Sequence, residues 1–367
     1  MIVYVSPAEI NGGILQFSVS ITRETAALTA CRLFLPDAVD KNLYRDIAGE
    51  TICYPKVKTL RGNCREIRQI AGEIMALSPD VVIFVEDSVL MQQLNAILTR
   101  NKVKTAMVVH DVLHHPYRKM RTRAVLVDML RRQMTKKTVK HCGRMILLSH
   151  NSETQFRERY GIRNTVVFRL PAHVPETPPQ TLLELTGIEG NYFLFFGRID
   201  KYKGIGRLCR AYSALPEELK RKTGLVVAGK GQLSEEETAL VRSDPRIRLI
   251  RRFIGDGEMI WLFQRASAVV MPYIEASQSG VLPIAYRFGK PVIVSDLPGL
   301  TENVSDGQTG CIFRTEEELT QILCRFATAA DAVTGEGEIR RYYEEHFLWK
   351  NNLTELFAAL NVEMKRK

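Results

Sequence analysis

The stretch Tyr192-Phe193-Leu194-Phe195-Phe196-Gly197-Arg198-Ile199-Asp200-Lys201-Tyr202-Lys203-Gly204 decides the fold of this chain. Its first five residues are apolar without polar alternation, as expected of a strand covered on both faces by helices in a parallel sheet. A polar loop closed by glycines follows, and Ile205–Ala214 then reads as a helix. The same order of strand, loop and helix recurs in both halves. In the first half, strands are expected at Ile2–Ser6, Cys31–Leu35, Val81–Val85, Thr105–Val109 and Met145–Leu148, and helices at Ile14–Ala30, Cys64–Ala76 and Val89–Thr99. In the second half, strands are expected at Tyr192–Phe196, Gly224–Val227, Ile247–Ile250, Ala268–Pro272 and Pro291–Ser295, with helices such as Ile205–Ala214 and Met259–Ala266. The alternation predicts an α/β chain of two doubly wound, Rossmann-like domains facing across a cleft.

The passage Leu170 to Pro179 holds four prolines in nine residues, which removes donors and forbids helix, and it reads as the joint between the halves. The expected division is a first domain at 1–170, a linker at 171–180, a second domain at 181–345 and a C-terminal helix at 346–367. After Thr315 the chain reads as helix to the end, the last helix, around Asn351–Met364, leaning back on the first domain.

The chain has 367 residues, 45% hydrophobic and 25% charged, a globular composition that excludes disordered and collagen-like classes. No apolar run approaches the ~18 residues of a membrane span. The opening Met1-Ile2-Val3-Tyr4-Val5 has no basic residue before it and reads as a buried strand, not a leader. Seven scattered cysteines suggest neither a disulfide framework nor a metal knuckle, and a cytoplasmic location is expected. Net charge is +10, and residues 118–144 carry nearly all of it: ten cations against the single acid Asp128. With Ala124, Val125, Val127, Leu130 and Met134 among those cations, the segment reads as an amphipathic helix able to dock on an anionic membrane surface, peripherally on the inner face. Its plainer alternative is a solvated helix. Nucleic acid is not an expected partner, because aromatic residues are not interleaved with the cations.

Sheets of this kind bind ligands at the carboxyl ends of their strands, so the loops there are the places to search. The first, Ser6 to Ile14, presents Gly12 and Gly13 at a helix N-terminus, where the backbone can approach an anion; a tight turn without a ligand explains the pair equally well. The second carries Arg198 and Lys203, one cation suited to bidentate contact with phosphate and one a point charge, so a diphosphate suits it. Taken alone, that loop could equally be a solvated basic turn. A third loop holds Gly229 and Gly231, and a fourth runs from Pro272 through Glu275, Gln278, Ser279 and Gly280 to Val281. The chain lacks the GxGxxG and GxxxxGK[ST] patterns of dehydrogenases and P-loop nucleotidases.

On these residues the sequence resembles the retaining GT-B glycosyltransferases of family 4, within the glycosyl transferases of group 1. The resemblance rests on Gly12-Gly13, on Gly197-Arg198 with Lys203-Gly204 in a GRxxxxKG spacing, on Gly229-x-Gly231, on Gly289-Lys290-Pro291-Val292-Ile293, on Asp296-x-x-Gly299-x-x-Glu302 and on Asp306-Gly307-x-Thr309-Gly310. In the first half it adds Val109-His110-Asp111-Val112-Leu113, similar to the family's His-Asp segment near the reacting sugar. It implies transfer of a sugar from a UDP- or GDP-sugar to a glycan or lipid-linked acceptor in bacterial polysaccharide synthesis, with retention and without metal or cofactor, the donor itself being a substrate. His110, Arg198 and Lys203 would be catalytic. Gly12, Gly13, Gly229, Gly231, Glu275, Gln278, Ser279, Gly280 and Glu302 would hold the donor.

The family's two glutamates separated by seven residues fall here on Ala276 and Ile284. Glu275 lies one residue off, and Gln278-Ser279-Gly280 resembles a variant of this loop in similar bacterial enzymes. The departure keeps two alternatives open, a catalytically silent GT-B scaffold or binding subunit and a sugar-nucleotide epimerase. His110, Asp111, His114 and His115 cluster in one loop, but Pro116 opposes the helical spacing a metal site would use, and the chain holds no Asp-x-Asp.

Overall fold

A computed structural model of the chain describes residues 1–8, 12–55, 64–110, 112, 136, 139, 142–185, 191–328, 333 and 335–363. Two compact units form, Met1–Arg169 with Trp349–Lys367, and Leu170–Leu348. Each is a parallel sheet between helices.

The first sheet comprises β1 Ile2–Val5, β2 Cys31–Pro36, β3 Thr51–Tyr54, β4 Val81–Phe84, β5 Thr105–Val109, β6 Arg144–Leu147 and β7 Thr165–Val167, in the order β3-β2-β1-β4-β5-β6-β7. Every pairing is parallel, with Val3 opposite Arg32 on one side and Val82 on the other. β1 and β4 are wholly buried, which is why they contain only apolar side chains and Tyr4. The helices are α1 Gly13–Ala26, α2 Cys64–Ala76, α3 Val89–Arg100 and α4 His150–Tyr160. Ser88 and Ser149 cap α3 and α4 by accepting from Met91 N and Ser152 N, satisfying donors that a helix start leaves open. The buried face of α1 is unusually rich in hydroxyls. Ser18 Oγ donates to Ile14 O and Thr22 Oγ1 to Ser18 O, so these polar groups stay satisfied inside the core.

The second sheet comprises β8 Asn191–Phe196, β9 Thr223–Ala228, β10 Ile247–Ile250, β11 Ala266–Met271, β12 Val292–Ser295 and β13 Gly310–Phe313, all parallel in the order β10-β9-β8-β11-β12-β13. Its helices are α5 Ile205–Ser213, α6 Glu217–Lys222, α7 Glu235–Ser243, α8 Asp256–Arg265, α9 Val281–Arg287, α10 Pro298–Thr301, α11 Glu316–Thr328 and α12 Glu336–His346. The Pro-rich passage belongs to this unit: Ala172 is buried in its core and Gln180 N donates to Gly257 O. The last helix, α13 Trp349–Ala359, packs in the first unit, where Trp349 meets the rings of Phe17 and Phe168.

The expected strands are present, and three short ones, β3, β7 and β13, add to them at or near the sheet edges. The helix expected over Ile14–Ala30 ends at Ala26, beyond which Leu28 N bonds back only three residues, to Thr25 O, in a tightened last turn. The run after Thr315 is broken between α11 and α12 by the extended Gly335, and again at Phe347 and Leu348, so it is three helices.

Candidate functional site in the strand-end loops

In each sheet the strand order reverses beside the first strand, between β1 and β4 and between β8 and β11. At such a switch point the two flanking loops part and leave a crevice outside the strand ends. The loops after β8 and β11 are the ones that carry Arg198, Lys203 and the residues Glu275 to Gly280.

Backbone contacts knit those two loops together. Ile274 N donates to Tyr202 O at 2.8 Å. Gly204, at φ +66°, lies so close to Pro272 that a Cβ there would fall 2.0 Å from the Pro272 carbonyl oxygen. Only glycine meets both the left-handed backbone and the contact. Asp200 opens the intervening turn by accepting from Lys201 N. Between the two contacts stands Tyr273, fully buried, and the Lys203 ammonium sits over its ring, 3.5 Å from the centroid and 4.9 Å from that of Tyr202. Burial pushes the Lys203 ammonium down to about 8; the charge of Arg198 adds to the shift and Tyr202 and Asp200 oppose it. Arg198 itself is exposed on the same loop.

The fourth loop is anchored from its other side. A Cβ on Gly299, in α10, would lie 2.4 Å from Ser277 O. Ser279 Oγ accepts from Val281 N, opening α9, and shares a 3.4 Å hydrogen bond with Tyr273 OH. Gln278 Oε1 is buried with no hydrogen-bond partner, an acceptor left open inside the loop. Glu275 is half-buried in this loop, and Glu302 ends α10, its Oε1 accepting from Asn303 Nδ2.

Gly229 and Gly231 lie on the loop after β9. Both have positive φ, and a Cβ on them would lie 1.7 Å from Gly197 O and 1.9 Å from Ile199 O. Gly197 N donates to Ala228 O and Ile199 N to Lys230 O, so the chain runs on beside the neighbouring loop past the strand ends. Here the glycines serve backbone packing. The other motif residues are likewise spent on structure: Lys290 pairs with Glu336, and Asp306, Gly307, Thr309 and Gly310 form a turn in which Thr309 Oγ1 accepts from Ser305 N.

In the first unit, His110 follows β5 and its Nε2 lies 2.9 Å from Val85 O at the end of β4. A carbonyl only accepts, so Nε2 carries the proton. The Phe17 ring meets the imidazole edge-on, 5.5 Å between centroids. Gly12 precedes α1 in extended backbone, and a Cβ on Gly13 would touch nothing within 4 Å. Below them Ser6 Oγ and Ser18 Oγ share a hydrogen bond of 2.9 Å, and Ser6 O takes one from Tyr54 OH.

The second unit thus brings Arg198, Lys203, Gln278, Ser279 and Gly280 onto two joined loops, while the first unit holds His110, Gly12 and Gly13 on two others. Glu9 to Asn11, Asp111, His114, His115 and nearly all of the basic segment 118–144 lie outside the described residues. Among the described residues no cluster of His, Cys, Asp and Glu is arranged to hold a metal, and no helix is long and apolar enough to cross a membrane. Sequence reading did not single out Tyr273 and Tyr202. The available signal was a tyrosine directly after a strand-ending proline, in the loop next to a cationic one.

Residues 190–328 match the family described as Glycosyl transferases group 1. Among curated proteins, the chain is 28% identical over 172 residues to an uncharacterized glycosyltransferase of Methanocaldococcus jannaschii, covering 44% of this chain and 42% of that one. It is 30% identical over 173 residues to the glycogen synthase of Thermus thermophilus, covering 46% and 38%. The chain therefore spans about two fifths of the length of these relatives. Among solved structures, Anabaena HepE in complex with UDP superposes with a TM-score of 0.77 at 15% identity, over 98% of this chain and 99% of that one. The lipopolysaccharide outer core galactosyltransferase WaaB gives 0.69 at 16% identity over 97% and 99%. These likenesses establish the GT-B fold of two Rossmann-like domains, and the part of the chain that matches the glycosyl transferases of group 1 holds the three strand-end loops of the second unit described above.

Proposed function

We propose that the protein is a glycosyltransferase that moves a sugar from a UDP- or GDP-sugar to a glycan or lipid-linked acceptor, with retention at the anomeric carbon and without metal. The observation that carries this reading is the pair of cations on the loop after β8, Arg198 exposed and Lys203 seated against Tyr273 at the switch point. As the bond to the anomeric carbon breaks, negative charge gathers on the departing nucleoside diphosphate. Two cations on one loop stabilise that charge more in the transition state than in the ground state, and this lowers the barrier. They also supply what a bridging metal would otherwise provide. The match of residues 190–328 to the group 1 family, and the likeness to a protein solved with UDP, support the donor class. His110, with its Nε2 proton held by Val85 O, is the first-unit residue assigned to the donor sugar.

The test is nucleotide release from a panel of UDP- and GDP-sugars offered with glycan and lipid-linked acceptors, the anomer of the product being read by NMR. Release with a retained anomer supports the reading. Binding without release points to the silent scaffold, and an epimerised sugar without transfer points to the epimerase. The sequence of 118–144 extends the proposal to docking on an anionic membrane surface at the inner face, checked by sedimentation with neutral and anionic vesicles at low and high salt. Equal, negligible binding to both would remove that extension.

A further inference from the structure

We infer that Tyr273 is a positioning residue, its ring a platform that holds the Lys203 ammonium at the switch point with the ring face standing in for water. The inference rests on the proposed role of Lys203 and names the device by which the fold sets that cation in place. Three observations carry it. The ammonium lies 3.5 Å from the Tyr273 centroid, close enough for the ring's negative face to attract it directly. Tyr273 is 1% exposed and cannot swing aside, because the residues on either side of it are tied to the lysine's own loop, Pro272 against Gly204 and Ile274 to Tyr202. Its hydroxyl is engaged by Ser279, so the ring plane is fixed from the loop that also carries Gln278 and Gly280.

A lysine on a flexible stem normally loses much rotamer freedom when it grips an anion. Here that ordering is already done, and the side of the ammonium covered by the ring has no water to lose when a diphosphate arrives. The groups acting on Lys203 are Arg198, Asp200 and Tyr202 from its own loop, with the Tyr273 ring from the loop after β11. Arg198 disfavours the ammonium and the ring faces favour it. Removing the platform without admitting water should therefore weaken the lysine's hold on its proton.

The experiment titrates the Lys203 amine by NMR in the ligand-free full chain with 15N- and 13C-labelled lysine, the resonance being assigned by its loss in Lys203→Arg. Tyr273→Leu keeps the site buried and removes the π face, and should reduce the proton affinity of Lys203 about tenfold. Tyr273→Phe keeps the ring and should titrate as the parent. The same variants are then titrated with UDP and GDP, where Leu should weaken binding about tenfold and Phe should restore it. Lys203 titrating identically in the parent and in a folded Tyr273→Leu would overturn the inference. If Tyr273→Leu does not fold, Tyr273→Trp, which retains a larger π face, should raise the lysine's proton affinity or hold it, and a fall would overturn the inference. A changed titration with no binding of either nucleotide would leave the platform standing and defeat the proposed function, so the two fail separately.

Discussion

Gly204, Gly229 and Gly231 of the second unit differ from Gly13 of the first in what surrounds them. In the second unit, Gly204, Gly229 and Gly231 combine positive φ with carbonyl oxygens about 2 Å or less from where a Cβ would stand. In the first unit, Gly13 has nothing within 4 Å and Gly12 an extended backbone that any residue adopts. The same residue type, in loops of the same topological kind, is therefore required by packing at Gly204, Gly229 and Gly231 and not at Gly13. A glycine that the fold needs explains itself. One that the fold does not need is the better mark of a place reserved for something else to approach.

The sharpest way to break this contrast is Gly204→Ala. The left-handed backbone and the overlap with Pro272 O should together cost about 2–5 kcal/mol of stability, read from a lowered urea midpoint. Stability within error of the parent would show that the two loops are not held as described. Next in size is the effect on catalysis of Arg198→Ala or Lys203→Ala, each expected to lower kcat/KM by the equivalent of about 2–4 kcal/mol while the urea midpoint hardly moves. An unchanged rate in the double variant would remove both residues from the diphosphate.

A smaller effect should follow pH. With Lys203 at about 8, affinity for the nucleoside diphosphate should decline by up to about tenfold per pH unit above that point, and Lys203→Arg should hold its affinity through the same range. Stability should move the other way. Between about 8 and its ordinary 10.5 the amine is protonated in the unfolded chain and largely neutral in the folded one, so the unfolded state binds more protons and folding gains as pH rises. Below about 8 the cost of burying the charge is constant. Gly13→Ala should change stability by no more than about 1 kcal/mol, and an accompanying loss of donor affinity would confirm that the open space serves a ligand. Least of all should chelation matter: EDTA is expected to leave transfer intact, and a loss restored by Mn2+ would return attention to the His110 loop.

How far the sequence can be read follows from the range of the forces involved. Strands such as Tyr192–Phe196 and Val81–Val85 announce themselves, because a strand buried on both faces must be apolar throughout. β3 and β7 did not, since strands near an edge keep polar residues such as Thr51 and Thr165 and are only four and three residues long. Gly229 and Gly231 were legible as loop glycines but not in their purpose, which depends on the carbonyls of Gly197 and Ile199 some thirty residues earlier in the chain. Arg198 and Lys203 were legible as cations at a strand end. What seats Lys203 was not, because Tyr273 meets it only after β8 and β11 have paired.

The return of α13 to the first unit sets an order in time. During synthesis the second unit, Leu170–Leu348, emerges as one uninterrupted piece and can close its sheet as soon as β13 and the helices after it are made. The first unit emerges earlier yet must wait, its Phe17 and Phe168 lacking Trp349 until the second unit has been fully translated. Of the two units the one translated first is thus completed last, and in a nascent chain stopped at Leu348 the buried Phe17 and Phe168 rings lack the Trp349 ring they meet in the finished molecule.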